Sequence, residues 1–308
     1  MPSHPFGYVV PVQISNPDKI LFPSMGLTKT DLVGHYRRFG ERMMPFVAGS
    51  PLTLERYPNG IGSKGFRQKN ASDHFPDYIG RVEIPKRDDG VTVYPIVDST
   101  EGLAYLANQG TITFHPWTSR LPDLDRPDFL VLDLDPTEGD IEGVRRVATT
   151  THAVLEEFGL ESMLATSGSK GFHIWVPILA DQTFDRIGTV ARALAGLIAA
   201  RDEHATTEFL KDDRAGRVFV DWLRNAPGSS IASPWSVRAK PGAPVVTPTP
   251  WTMLDTAEPD QWSITDVDTA PAVEMPAHQS LDPDPIIEAA ADGGVDLETS
   301  FDRFGRKR

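Results

Sequence analysis

Apolar residues recur at helical spacing at Leu32, Tyr36, Phe39, Met43 and Met44, and Thr28 is placed to cap the first turn, so the pattern predicts a helix over 28–47. Residues 51–57 and 91–97 read as strands, Ser99 as the cap of a helix running to 109, and 111–115 as another strand. A nearly continuous apolar run over 129–134 predicts a buried strand that Pro136 stops. A helix over 141–158 follows, then a strand over 162–166, the turn SGSKG and a strand over 172–178. The stretch 184–200 is an amphipathic helix; 217–223 alternates at Val218, Val220 and Trp222 as a strand does, and 231–237 reads as one more. From Pro241 a proline-rich segment begins an irregular exit, and no internal repeat is visible. Strands and helices in this order predict an α/β (α+β mixed) fold, a mixed sheet with flanking helices.

Composition narrows the function classes. The chain has 308 residues, 40% hydrophobic and 24% charged, enough to bury a core without staples. It contains no cysteine, which excludes disulfides, thiolate metal sites and cysteine nucleophiles. The start, MPSHPFGYVV, has no basic segment followed by an apolar run, and no apolar stretch approaches the roughly 20 residues that span a bilayer. A cytoplasmic protein is expected. The net charge of -13 argues against a nonspecific nucleic-acid coat, although a local basic groove remains compatible with it. Much of the acidity lies late, and 271–308 reads as an acidic, solvated tail.

Five constellations carry candidate chemistry. Asp133 and Asp135 are i and i+2 on the predicted strand, so both carboxylates share a face. A hard divalent cation between them resolves their repulsion; a strand end turned to water is the alternative. Asp221 lies in an apolar strand, where a carboxylate needs either a metal or an arginine partner. Three such carboxylates can hold two metals. The loop Ser167-Gly168-Ser169-Lys170-Gly171-Phe172-His173 offers close backbone approach, hydroxyls and a charge for phosphate, or is a plain hairpin turn. Arg238 is either a triphosphate clamp or a surface arginine, and His115, beside a proline, is either structural or near a ligand. Asn16, Lys19 and Lys29 flank a turn and a helix start, an arrangement that suits a terminal phosphate or ordinary surface lysines.

The segments ISNPDKILFP, RYPNG, YPIVDS, HPW, DLDP, TSGSKGFH, VFVDW and SVRAK, in that order over 13–240, resemble the polymerase domain of bacterial ligase D in the archaeo-eukaryotic primase superfamily. The resemblance implies an RRM-like catalytic subdomain over 121–270, packed against an N-terminal α/β subdomain over 1–120 that carries a 5′-phosphate and DNA surface. It implies a template-dependent DNA repair primase-polymerase that fills short gaps by two-metal nucleotidyl transfer, with ribonucleotides preferred over deoxyribonucleotides and two Mn2+ (or Mg2+) ions. By motif match, Asp133, Asp135 and Asp221 are implied as metal ligands and catalytic residues. His115, Ser167, Ser169, Lys170, His173 and Arg238 are implied at the incoming nucleotide. Asn16, Lys19, Lys29, Arg56, Phe66, Arg67 and Arg214 are implied at the 5′-phosphate and DNA. Arg67 stands where the family has a second aromatic. With no ligase or nuclease module in the sequence, the chain is most similar to stand-alone actinobacterial relatives linked to short-gap filling in excision repair. Implied partners are gapped or broken DNA with a 5′-phosphate, nucleoside triphosphates, a separate ATP-dependent DNA ligase and Ku, with nucleoid association in the cytoplasm and no membrane. Two other functions compete. DLDPT matches the DxDxT signature of haloacid dehalogenase-type phosphatases, and a non-catalytic DNA gap- or end-binding factor is the non-enzymatic reading.

Overall fold

The computed structural model describes residues 11–86, 89–137 and 139–297. They form two compact units. The first gathers the chain up to Pro122 with Ser230–Val246 and Trp262–Asp268; the second holds Asp123–Ser229, Thr247–Gln261 and the chain from Thr269 on.

The first unit is built from β1 (Ile20–Phe22), β2 (Leu27–Thr28), α1 (Lys29–Val47), β3 (Leu52–Arg56), β4 (Phe66–Gln68), β5 (Gly80–Pro85), β6 (Val91–Ile96), α2 (Thr100–Asn108) and β7 (Thr111–Pro116). β1 pairs with β2, β5 with β6, and β4-β3-β7 form a three-stranded sheet. The Thr28 hydroxyl accepts from the Asp31 amide while the Asp31 carboxylate accepts from the Thr28 amide at 2.7 Å, a reciprocal cap that fixes where α1 begins. Leu32, Val33, Tyr36, Phe39 and Met43 form its buried stripe.

The expected strand over 231–237 is absent. Pro234 has no amide to give to a ladder, and Trp235 sits at φ 68, a left-handed backbone. The segment instead runs along β7 through scattered bonds, with the Ser233 amide donating to the Phe114 carbonyl at 3.0 Å and the Phe114 amide to the Ser236 hydroxyl at 2.9 Å. These bonds return 230–246 to the first unit, whereas the sequence reading grouped it with the catalytic part.

The second unit contains β8 (Phe129–Asp135), α3 (Ile141–Glu157), β9 (Met163–Thr166), β10 (Phe172–Pro177), α4 (Phe184–Arg201), β11 (Ala205–Thr206), β12 (Val218–Asp221), β13 (Thr247–Thr249) and α5 (Pro283–Asp292). Its sheet runs β11-β12-β8-β10-β9-β13, antiparallel except for β11 with β12. The mixed α/β class predicted from the sequence is therefore present. Leu130, Leu132, Leu134, Ile174, Val176, Val218 and Val220 join the core that α3 and α4 cover. Because side chains alternate along a strand, Asp133, Asp135, His173 and Asp221 point to the opposite face.

The segment expected as a solvated tail contains α5, capped by Asp282, with Ile286 and Ala290 buried in the same core. Its apolar stripe is short and sits among acidic residues, so charge masks it in the sequence. No described helix is long and apolar enough to cross a membrane.

Candidate active site

The strand register sets the geometry of the carboxylates. Asp221 of β12 lies directly opposite Asp133 of β8, and His173 of β10 lies opposite Asp133 on the other side. Asp135 is two residues further along β8, on the same face. The row is only partly exposed: Asp221 is 5% exposed as a residue. Burial pushes the Asp221 carboxyl up to about 6, Arg224 opposes that, and the charges of Asp133 and Asp135 add to it. Arg224 is the counter-charge, with its guanidinium 2.8 Å from an Asp221 oxygen and 3.4 Å from an Asp133 oxygen. His173 Nε2 stands 3.7 Å from Asp133.

Arg224 is thus the arginine partner that the buried Asp221 called for, and it was not picked out in the sequence. The available signal was its i+3 spacing from Asp221. Arg214, expected among the DNA-binding residues, is turned inward. It is 4% exposed, its guanidinium donates to the Glu208 and Phe209 carbonyls and to Asp135 at 3.2 Å, and it covers the Phe219 ring. The short turn at Lys211–Arg214 and the left-handed Ala215 tuck this side chain inward. As they stand, no three His, Asp or Glu side chains among the described residues are gathered as ligands of one ion. The donor chemistry nevertheless fits: three hard oxygen ligands on one sheet face, two of them opposite each other in the ladder.

The SGSKG loop joins β9 to β10 beside this row. The Ser167 amide donates to the Gly171 carbonyl at 3.0 Å, and the Gly171 amide returns to the Ser167 hydroxyl at 3.2 Å. Gly168 is left-handed, at φ 62. A Cβ on Gly171 would lie 1.7 Å from the Leu134 carbonyl oxygen of β8, so only glycine lets the loop sit this close to the Asp133–Asp135 strand. Ser167 is buried, Ser169 half-buried and Lys170 exposed.

The first unit holds the remaining expected residues in two groups. His115 Nε2 is 3.1 Å from Glu55, whose other oxygen accepts from the Tyr57 hydroxyl at 3.2 Å. Burial lowers His115 to about 4, and the bond from His115 lowers Glu55 to about 2, so a neutral imidazole donates to a carboxylate. Arg67, opposite Glu55 in the β3–β4 ladder, and Arg238 add positive charge beside this pair. Glu55 was not singled out in the sequence. Arg56 lies over the exposed Phe66 ring at 5.5 Å and donates to the Gln109 carbonyl. In the second group, Lys29 Nζ reaches the Ser15 hydroxyl at 3.2 Å and Lys19 Nζ reaches Asn59 at 2.8 Å. Asn16 is left-handed at φ 50, and its carbonyl accepts from the Lys19 amide. Burial, then the charge of Lys19, lowers the Lys29 pKa. Two close ammonium groups at the start of α1 are electrostatically suited to an anion.

Residues 28–275 match the family LigD, primase-polymerase domain. The chain is 34% identical over 257 residues to the multifunctional non-homologous end joining protein LigD of Mycolicibacterium smegmatis, covering 82% of this chain and 34% of that protein. It is 34% identical over 288 residues to the corresponding DNA repair protein LigD of Mycobacterium tuberculosis, covering 89% of this chain and 37% of that protein. The chain therefore spans about a third of the length of these relatives. The polymerase domain of Mycobacterium tuberculosis ligase D, solved in complex with DNA, superposes with a TM-score of 0.75 at 31% identity, over 93% of this chain and 96% of that one. The class so defined is a nucleotidyltransferase of the primase-polymerase kind. The chain belongs to the LigD primase-polymerase domain family. That membership removes the phosphatase suggested by DLDPT.

Proposed function

We propose that this chain is a template-directed DNA repair polymerase that fills short gaps by two-metal nucleotidyl transfer. The observation that carries the reading is the register that sets Asp221 opposite Asp133, with Asp135 on the same face. Asp133, Asp135 and Asp221 would hold two divalent cations, manganese or magnesium. When bound, such ions supply positive charge that acidifies the primer hydroxyl and neutralises the triphosphate. The primer 3′-oxygen attacks the α-phosphorus of the nucleoside triphosphate, the bond to the β-phosphate oxygen breaks, and pyrophosphate leaves. Ser167, Ser169, Lys170, His173, His115 and Arg238 would hold the incoming nucleotide. The glycine-tight loop at Gly171 supports this reading, because it brings amides and hydroxyls beside the carboxylate strand.

Asn16, Lys19 and Lys29 would grip the 5′-phosphate on the far side of a gap, and Arg56, Phe66 and Arg67 would meet the DNA beside it. Ribonucleotide preference, action at breaks beside Ku and sealing by a separate ligase belong to the same proposal. Arg214 enters it as the partner of Asp135.

The test is extension of a one- to three-nucleotide gap, with and without a 5′-phosphate, in manganese and in magnesium, with both sugar types. Asp135→Ala should abolish extension; extension at the wild-type rate would remove the mechanism. Replacing Lys19 and Lys29 together with methionine should reduce the advantage of a 5′-phosphate by about tenfold or more, the scale of lost charge-assisted bonds. Equal losses with and without the phosphate would remove the pocket.

A further inference from the structure

Arg238 follows a segment outside any named strand that is joined to 244–246 by backbone bonds: the Trp235 amide donates to the Val246 carbonyl at 2.6 Å, the Val246 amide to the Ser236 carbonyl at 2.9 Å and the Arg238 amide to the Pro244 carbonyl at 2.7 Å. Residues 235–237 are tied in addition to α1 and β7. The Trp235 carbonyl meets His35 Nε2 at 2.8 Å, and the Ser236 hydroxyl accepts from the Phe114 amide. Val237, the residue before the arginine, has both halves of its backbone engaged by side chains. Its amide donates to the Tyr36 hydroxyl oxygen at 3.0 Å, and its carbonyl accepts from the Thr113 hydroxyl at 2.8 Å. The Tyr36 proton is directed to the Ile112 carbonyl. Tyr36, Thr113, Ser236 and Val237 are all fully buried.

A purely structural core would fill this place with apolar side chains, since buried polar groups are tolerated only when every one is paired. Here the Tyr36, Thr113 and Ser236 hydroxyls are paired, and together they tie the backbone that leads into one guanidinium. Burial raises the Tyr36 pKa far above its ordinary value, so the hydroxyl keeps its proton and its donor–acceptor pattern is fixed. A side chain carried on backbone held this way loses less freedom when an anion arrives, which is how preorganised sites gain affinity.

We propose that Tyr36, acting with Thr113, is a positioning residue for Arg238: by fixing the Val237 peptide it presets the guanidinium that receives the triphosphate of the incoming nucleotide. This inference rests on the nucleotide role assigned to Arg238 above. Its signature lies in nucleotide affinity rather than in the chemical step.

The experiment measures the KM for nucleotide and kcat on a gapped primer with manganese, for wild type, Tyr36→Phe, Thr113→Val, Arg238→Ala and the double variant Tyr36→Phe/Arg238→Ala. Arg238→Ala should raise KM by about tenfold or more, as expected for loss of a charge-assisted contact. Tyr36→Phe should raise KM about fivefold with kcat within about twofold of wild type, a split that marks lost ground-state binding. In the Arg238→Ala background the same change should leave KM where it was, because there is nothing left to position. Should circular dichroism show Tyr36→Phe unfolded, Thr113→Val carries the same comparison. An unchanged KM in the folded variant, or effects that multiply in the double variant, would overturn the positioning role. Wild-type protein that extends no primer would remove the polymerase reading itself, and so the two failures are told apart.

Discussion

In the second unit the carboxylates proposed as metal ligands sit on neighbouring strands, so the ladder itself spaces them. In the first unit Lys19 and Arg238 sit on irregular backbone, tied by scattered backbone bonds and, at Val237 before Arg238, by the Tyr36 and Thr113 hydroxyls. The two arrangements also differ in the sign of what they store. The second unit concentrates negative charge at a sheet face, and the arginines 214 and 224 neutralise it. The first unit keeps two buried imidazoles neutral and gathers cations around them. A regular sheet can hold like charges close together because its stability comes from the opposite, apolar face. Irregular segments have no such reserve, so each polar group must be paired on the spot.

The largest test of this contrast is Asp221→Asn. Extension should fall by on the order of a thousandfold, the scale of several kcal/mol of metal-derived stabilisation. The metal-free protein should melt no lower than wild type, because a buried carboxyl whose pKa lies near 6 opposes folding at neutral pH. A variant that both loses activity and melts well below wild type would mean that Asp221 supports the sheet rather than being supported by it.

Acid titration gives the next effect, and it should separate the units. His35 and His115 are pushed down to about 4 by burial. The unfolded chain takes up these protons below about 6.5. Each histidine therefore contributes stability above that pH that is lost as pH falls towards 4, about 3 kcal/mol apiece. Glu55, at about 2, adds stability that persists above its unfolded value and is lost as pH falls below about 4.5. Asp221 works the other way: stability present below its unfolded value is lost as pH rises through about 6. Amide exchange of metal-free protein at pH 4.5 and 7 should show the first unit losing protection on acidification relative to the second. Parallel loss in both units would erase the distinction.

The smallest effect should come from Arg186→Ala, which removes an exposed pair with Asp284 linking α4 to α5. Calorimetry should register no more than about 1 kcal/mol, the usual worth of a solvated ion pair. A larger loss would mean that α5 is held by charge rather than by Ile286 and Ala290.

How much of this was legible follows the same divide. The α1 cap, the apolar β8 run and the shared face of Asp133 and Asp135 were local patterns of period and spacing, and they are present as expected. That Asp221 would stand opposite Asp133 could not come from spacing, because register between distant strands is a tertiary choice; the family resemblance supplied that expectation. The apparent strand over 231–237 failed because alternation of apolar residues does not reveal a left-handed Trp235. α5 was hidden because its two buried positions lie among aspartates and glutamates. Glu55 was hidden because a charge pair across strands leaves no periodic trace, and Arg224 because its i+3 spacing from Asp221 falls where the strand ends and the chain turns.

The return of 230–246 to the first unit bears on how the chain is made. Tyr36 meets a partner 201 positions downstream, so the early half of the molecule has no complete interior while it leaves the ribosome. The second unit must be largely synthesised before the first can close, and contacts of such long sequence separation slow folding. A fragment ending at Pro122 would lack the segment that satisfies the Tyr36 and Thr113 hydroxyls, so cutting at that apparent boundary should yield an insoluble product rather than a small autonomous module.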